Sequence, residues 1–155
     1  MKKILLVGFG DPAMEDDGLG HAFLNEINRY DIEGVTIDAN YKPSLGKAGV
    51  IAQHDIVIFA DAIKGLPDKK EYVLYPLTPI NTIYYGIGKS KLFKEVTEIM
   101  DIARKKFNAK TEVYMLDMKA YSWNRGINKL TPQAKEVVKK TVKFILPFLM
   151  NEKPF

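Results

Sequence analysis

The chain contains no cysteine, one tryptophan and only two histidines. Without cysteine there is no disulfide, no thiolate metal site and no cysteine nucleophile, which fits a reducing compartment and makes the cytoplasm the expected location. No apolar run approaches the ~18 residues that a membrane helix requires, so no membrane insertion is expected. The opening MKKILLVGFGDP carries two lysines before an apolar stretch, but that stretch is shorter than a leader's and runs into acids without a small-residue cleavage site. It reads as a first strand. None of Ser44, Ser90 and Ser122 sits in a G-x-S-x-G elbow, which leaves a serine hydrolase without support. Gly88-Lys89-Ser90 resembles the end of a phosphate-binding loop, yet Ile83 stands where that loop needs its first glycine. Linkers, internal repeats and low-complexity tracts are absent as well.

What is present is an ordinary globular composition over 155 residues, 46% hydrophobic and 27% charged, expected to form one domain over 1–155. A net charge of +4 favours acidic partners weakly, and no nucleic-acid motif accompanies it.

The organising stretch is ILLVGFGDPAMEDDGLG, Ile4 to Gly20. An apolar run of strand length, Ile4 to Val7, is cut by Gly8 and Gly10, and Asp11-Pro12 turns the chain into Glu15, Asp16 and Asp17 at a helix start. One acid near a helix N-terminus is favoured by the macrodipole. Three adjacent like charges repel, and are easier to explain with a cation or polarised group against them. Leu19, Phe23 and Ile27 then mark one helical face.

A short strand, Val35 to Asp38, follows, then a loop with one or two helical turns. DIVIFADAI, Asp55 to Ile63, does not alternate, which predicts a fully buried strand ending on Asp61. EYVLYPL alternates and suits an edge strand, and TPINTIYYGIG is irregular. KSKLFKEVTEIMDIARKKF is amphipathic, with Leu92, Val96, Ile99, Met100 and Ala103 on one side. Thr111 to Met118 reads as a further strand, and Thr131-Pro132 as an N-cap followed by proline at the first helical position. The last helix turns Ala134, Val137, Val138, Val142, Ile145 and Leu146 inward until Pro147 ends or kinks it, leaving Lys135, Lys139, Lys140 and Lys143 on its wet face. Alternating strands and helices predict an α/β three-layer sandwich, a mainly parallel twisted sheet of about five strands with helices on both faces.

In such sheets ligands bind beyond the carboxyl ends of the strands. Asp11 to Asp17 follow the first strand, Asp38 ends the second and Asp61 the third, so carboxylates are expected on one rim. Asp61 cannot stand charged and unpaired at the end of a buried strand without a cost of several kcal/mol; a partner, a raised pKa or water must relieve it. Gly8-Phe9-Gly10-Asp11-Pro12-Ala13 also fits the dinucleotide pattern G-x-G-x-x-A, with Asp38 in the place of the ribose acid. Against that reading, Glu15, Asp16 and Asp17 would stand where the pyrophosphate lies. His21 lies one helical turn beyond Asp17 and is a candidate ligand for a metal that Asp17 touches; His54 precedes a strand and is expected to face solvent.

These residues resemble the hydrogenase maturation endopeptidases, which trim the C-terminus of the large subunit of nickel-iron hydrogenases. GFGDPAMEDDGLG is similar to the signature G-x-G-N-x-x-x-x-D-[DE]-G-x-G, with Asp11 in place of the usual asparagine. Ala60-Asp61-Ala62 matches the acid that ends the third strand, and Leu130-Thr131-Pro132 the L-[ST]-P that opens the last helix. The resemblance implies an endopeptidase with Asp17 and Asp61 as catalytic and metal-facing residues. It implies no permanent cofactor, the divalent metal being the nickel of the substrate, and the partner would be the large-subunit precursor. The third residue of the family's site is a histidine, and between Leu77 and Lys91 this chain has none, only Tyr84 and Tyr85 standing out. A non-cleaving binder of a hydrogenase-type subunit is the competing class, and a Rossmann-like nucleotide-binding protein the third.

Overall fold

The computed structural model describes residues 1–39, 44–66, 69–78 and 91–155. Five strands form one sheet: β1 Ile4–Gly8, β2 Val35–Ala39, β3 Ile56–Ile63, β4 Tyr72–Pro76 and β5 Glu112–Lys119, in the order β2-β1-β3-β5-β4. β2, β1, β3 and β5 are mutually parallel, and β4 runs antiparallel to β5 at the edge. Among the described residues four α-helices flank it: α1 Leu19–Asn28, α2 Ala48–Ala52, α3 Lys91–Phe107 and α4 Pro132–Leu149. This is the α/β sandwich that the alternation of elements predicts, including the edge position of Tyr72–Pro76.

The period of two along each strand sorts the core into halves. Ile4 and Leu6, Ile56 and Ile58, and Leu116 and Met118 turn to α1 and α4, where they meet Phe23, Ile27, Val137 and Ile145. Leu5 and Val7, Val57 and Phe59, and Val113 and Met115 turn to α2 and α3, against Ile51, Val96, Ile99 and Ala103. Because both faces are covered, the parallel strands carry continuous apolar runs.

Three local features depart from the sequence expectation. β3 does not end on Asp61 but stays paired with β5 as far as Ile63, so Asp61 lies inside the strand. α4 passes through Pro147 to Leu149, since a proline two residues from a helix end removes only one backbone donor. Its start matches: Thr131 is the N-cap, and its hydroxyl accepts from the Ala134 N–H at 3.2 Å. In addition, Glu15–Gly18 forms a separate tight 3-10 turn ahead of α1, so the acids precede the helix instead of forming its first turn. Tyr84, Tyr85, Gly88-Lys89-Ser90 and most of the irregular stretch after Leu77 lie outside the described residues.

Close approach of backbone explains two glycines of the signature. At Gly20, where α1 crosses the strand ends, a Cβ would stand 2.6 Å from the Phe9 carbonyl oxygen and 3.0 Å from that of Ala60. At Gly10 φ is +104°, and a Cβ would lie 2.0 Å from the Asp17 carbonyl oxygen. The first allows the helix to sit directly on the sheet's carboxyl rim. The second folds the loop back on itself and presents Asp17.

Candidate functional site

The three consecutive acids have three different surroundings. Asp16 is fully buried. Its Oδ2 accepts from the Tyr121 N–H at 2.8 Å, the Ser122 N–H at 3.2 Å and the Thr131 hydroxyl at 2.8 Å, and its Oδ1 accepts from the Thr131 N–H at 2.8 Å. Glu15 takes the Ser122 hydroxyl, the Asn124 N–H and the Asn124 side-chain amide. The Ser122 hydroxyl, then the Asn124 backbone, hold its carboxyl below the usual range. Backbone bonds complete the seam: the Ser122 and Ile127 carbonyls accept from the Asp16 and Glu15 N–H groups, and Ala13 accepts from Gly126. Two of the three acids therefore join the first loop to the loop before α4, and their adjacency is explained by protein donors without a cation.

Asp17 is the acid turned to the strand ends. Its Oδ2 accepts from the Asp11 N–H at 2.7 Å, and its Oδ1 from the Trp123 indole N–H at 3.4 Å. The Asp11 N–H is a donor that a phosphate at this loop would need, and Asp17 already holds it, which counts against the nucleotide reading. Lys64, just past β3, stands over the Trp123 ring at 5.7 Å. Trp123→Phe, which keeps a ring under Lys64 and deletes the N–H, is expected to lower stability by about 0.5–1 kcal/mol. Far-UV circular dichroism in guanidinium gives the measurement, because the substitution removes the chain's one tryptophan; an unchanged midpoint would show that the indole bond contributes nothing.

Asp61 lies where β3 reaches the same rim, close enough to Asp17 for its charge to be felt. Burial, then repulsion from Asp117 and to a smaller degree from Asp17, raise its carboxyl to about 7, against the Ala62 N–H that its Oδ1 accepts at 2.9 Å. The raised proton affinity is one of the three outcomes that a carboxyl in a buried strand allows.

The neighbour that does most to Asp61 was not singled out in the sequence. Asp117, on β5, is directly in register with Asp61 across the parallel pair and only 1% exposed. The Tyr75 hydroxyl donates to its Oδ2 at 2.7 Å, while Oδ1 is buried without a hydrogen-bond partner among the described residues. Burial raises it to about 6, with the Tyr75 bond pulling the other way. The signal was available: Asp117 interrupts the apolar run of VYMLDM as Asp61 interrupts IVIFADAI. A buried carboxylate without full pairing inside a strand calls for an explanation in either place.

Of the remaining candidates, Asp38 is engaged in an ion pair with Lys47 at 2.9 Å. The His21 Nε2 is 2.9 Å from the Gly10 carbonyl oxygen. A carbonyl only accepts, so Nε2 carries the proton there and is not a donor atom for a metal. His54, whose Nδ1 lies 2.8 Å from the Val50 carbonyl oxygen, caps the end of α2 away from these acids. Among the described residues no three histidine, aspartate or glutamate side chains converge closely enough to hold a metal ion unaided.

No protein-family model and no curated protein sequence matches the chain. Its likeness is to solved structures. The hydrogenase maturating endopeptidase HybD from Escherichia coli superposes with a TM-score of 0.76 at 15% identity, covering 97% of this chain and 93% of that one. The [NiFe] hydrogenase maturation protease HybD from Thermococcus kodakarensis gives 0.71 at 18% identity over 95% and 99%. The maturation protease HycI from T. kodakarensis KOD1 gives 0.69 at 16% over 97% and 93%. At these identities the likeness is one of fold, and the fold is the one that hydrogenase maturation proteases share.

Proposed function

We propose, from that fold and from the acids at its rim, that the protein is an endopeptidase that removes the C-terminal extension of an immature nickel-iron hydrogenase large subunit. What supports this reading is that Asp17, in the turn that follows β1, and Asp61, in the neighbouring strand β3, lie within electrostatic reach of each other. The nickel belongs to the substrate, and the protein needs no permanent cofactor. A metal that arrives with ligands of its own needs only part of its shell from the protease, and Asp17 and Asp61 would supply oxygen donors to it. An oxygen-rich site of this kind discriminates nickel less sharply than one containing imidazole.

Cleavage adds water across the scissile amide: the water oxygen bonds to the carbonyl carbon, the C–N bond breaks, and a proton passes from water to the leaving amine. A carboxyl whose proton affinity lies near 7 suits that transfer, since it can accept and release a proton at neutral pH. Incubating the cognate nickel-loaded precursor with the protein and measuring its intact mass tests the reading. Loss of a C-terminal peptide is expected, and an unshortened precursor would reject it.

The second reading, a binder that recognises the immature subunit without cutting it, is favoured by the absence of histidine between Leu77 and Lys91. Asp17→Asn separates the two: an endopeptidase loses cleavage while the complex with the precursor persists.

A further inference from the structure

On the other side of β5 from β3 lies a groove of about 580 Å³ between β4 and α4, lined by Lys69, Lys70, Glu71, Tyr72, Leu74, Lys140 and Phe144 among others. Its floor is apolar: the Tyr72 and Phe144 rings pack at 5.2 Å, and both, with Leu74, are only partly covered. Its rim is cationic. Lys69 and Lys70 are exposed, and Glu71, the one acid among the described lining residues, is engaged by Lys140 at 2.7 Å. Among the described lining residues that pairing leaves the charges of Lys69 and Lys70 at the mouth and fixes Lys140. Lys135, Lys139 and Lys143 on the exposed face of α4 extend the same sign, offset by Glu136 paired with Lys139.

β4 is the edge strand of the sheet among the described residues. Lysines beside an edge strand repel basic strands, and a neutral strand would desolvate them without compensating charge, so they protect the edge from aggregation. The same charges attract an extended segment of opposite sign, whose backbone can run along the edge while alternate side chains enter the apolar floor.

We infer that the β4–α4 groove is a docking site for an extended, acidic peptide segment of a protein partner. This rests on the proposed function only for the partner's identity, which would then be the precursor; the chemistry of the groove stands independently of cleavage.

The experiment uses the full chain and a fluorescein-labelled decapeptide of alternating aspartate and valine, with a lysine-valine decapeptide as its counterpart and fluorescence anisotropy as the readout. The acidic peptide is expected to bind at least tenfold more tightly than the basic one. Lys69→Glu with Lys70→Glu is expected to weaken that binding at least tenfold. Lys105→Glu with Lys106→Glu, the same charge change on exposed residues at the end of α3, is expected to alter it less than twofold. Equal losses in the two double variants, or no preference for the acidic peptide, would overturn the inference. So would a single-stranded oligonucleotide of equal charge that binds as tightly and is displaced by the same variant, which would make the groove a general anion surface. Since no precursor is present, a negative result leaves the cleavage reading where it was, and failure of cleavage leaves the groove where it was.

Discussion

Asp16→Ala is expected to destabilise the protein by about 3–5 kcal/mol, enough to unfold much of the population of an ordinary domain. The carboxylate is fully buried and accepts four hydrogen bonds, from the Tyr121 and Ser122 N–H groups and from the N–H and hydroxyl of Thr131. A bond to a charged acceptor contributes roughly 1.5–3 kcal/mol, and removing the acceptor leaves buried donors without partners. Thr131 is also the N-cap of α4, so the loss reaches the start of an 18-residue helix. Glu15→Gln should cost far less, since the amide oxygen of glutamine still accepts and the Asn124 bonds lie at the surface. Urea unfolding of both variants gives the comparison; a loss below about 1 kcal/mol for Asp16→Ala would mean that the seam between the two loops is not held by this side chain.

Asp61→Asn is expected to act in the opposite direction on stability and against function. The carboxyl rises from 3.8 to about 7 on folding. Between those values the folded chain holds a proton that the unfolded chain has released, so stability falls as pH climbs through the window and the whole penalty is present above about 7. A shift of roughly 3 units corresponds to on the order of 4 kcal/mol at 1.36 kcal/mol per unit. Asparagine has the same shape without the charge, and its oxygen can still accept from the Ala62 N–H. The variant should therefore be more stable than the parent at pH 8 by a few kcal/mol, with the advantage vanishing near pH 4. It should also cleave precursor at least ~100-fold more slowly, since the amide cannot carry the proton. Unfolding curves at pH 4, 6 and 8 read the first effect and precursor mass the second. A variant less stable than the parent at pH 8 would show that Asp61 is satisfied in its charged form. Stability gained where activity is lost is the expected mark of a strained functional carboxyl, because a residue retained only for folding has no reason to be a penalty. Asp117, unpartnered at Oδ1 among the described residues, belongs to the same unfavourable pair.

Much of this architecture was legible along the chain because it rests on short-range periodicities. The uninterrupted apolar run of β3 announced a strand covered on both faces, the alternation of Tyr72 to Pro76 an edge, and Thr131-Pro132 a helix start. Asp61 was legible for the same reason: a carboxylate inside an apolar strand conflicts with its surroundings wherever the strand sits. Asp117 poses the same conflict on β5.

The sequence by itself determined the order and kind of the elements, the placing of acids after the first strand and within the third, and the need for relief at a buried carboxyl, since each follows from neighbours a few residues away. The tertiary structure alone decided what each acid does. Donors from residues 121–131 take up Glu15 and Asp16, more than 100 positions along the chain; Lys47 takes Asp38; and the β3–β5 register sets Asp117 beside Asp61. Like charges in sequence order carry no information about which of them will meet a donor, because that depends on which distant backbone N–H groups the fold leaves without a carbonyl.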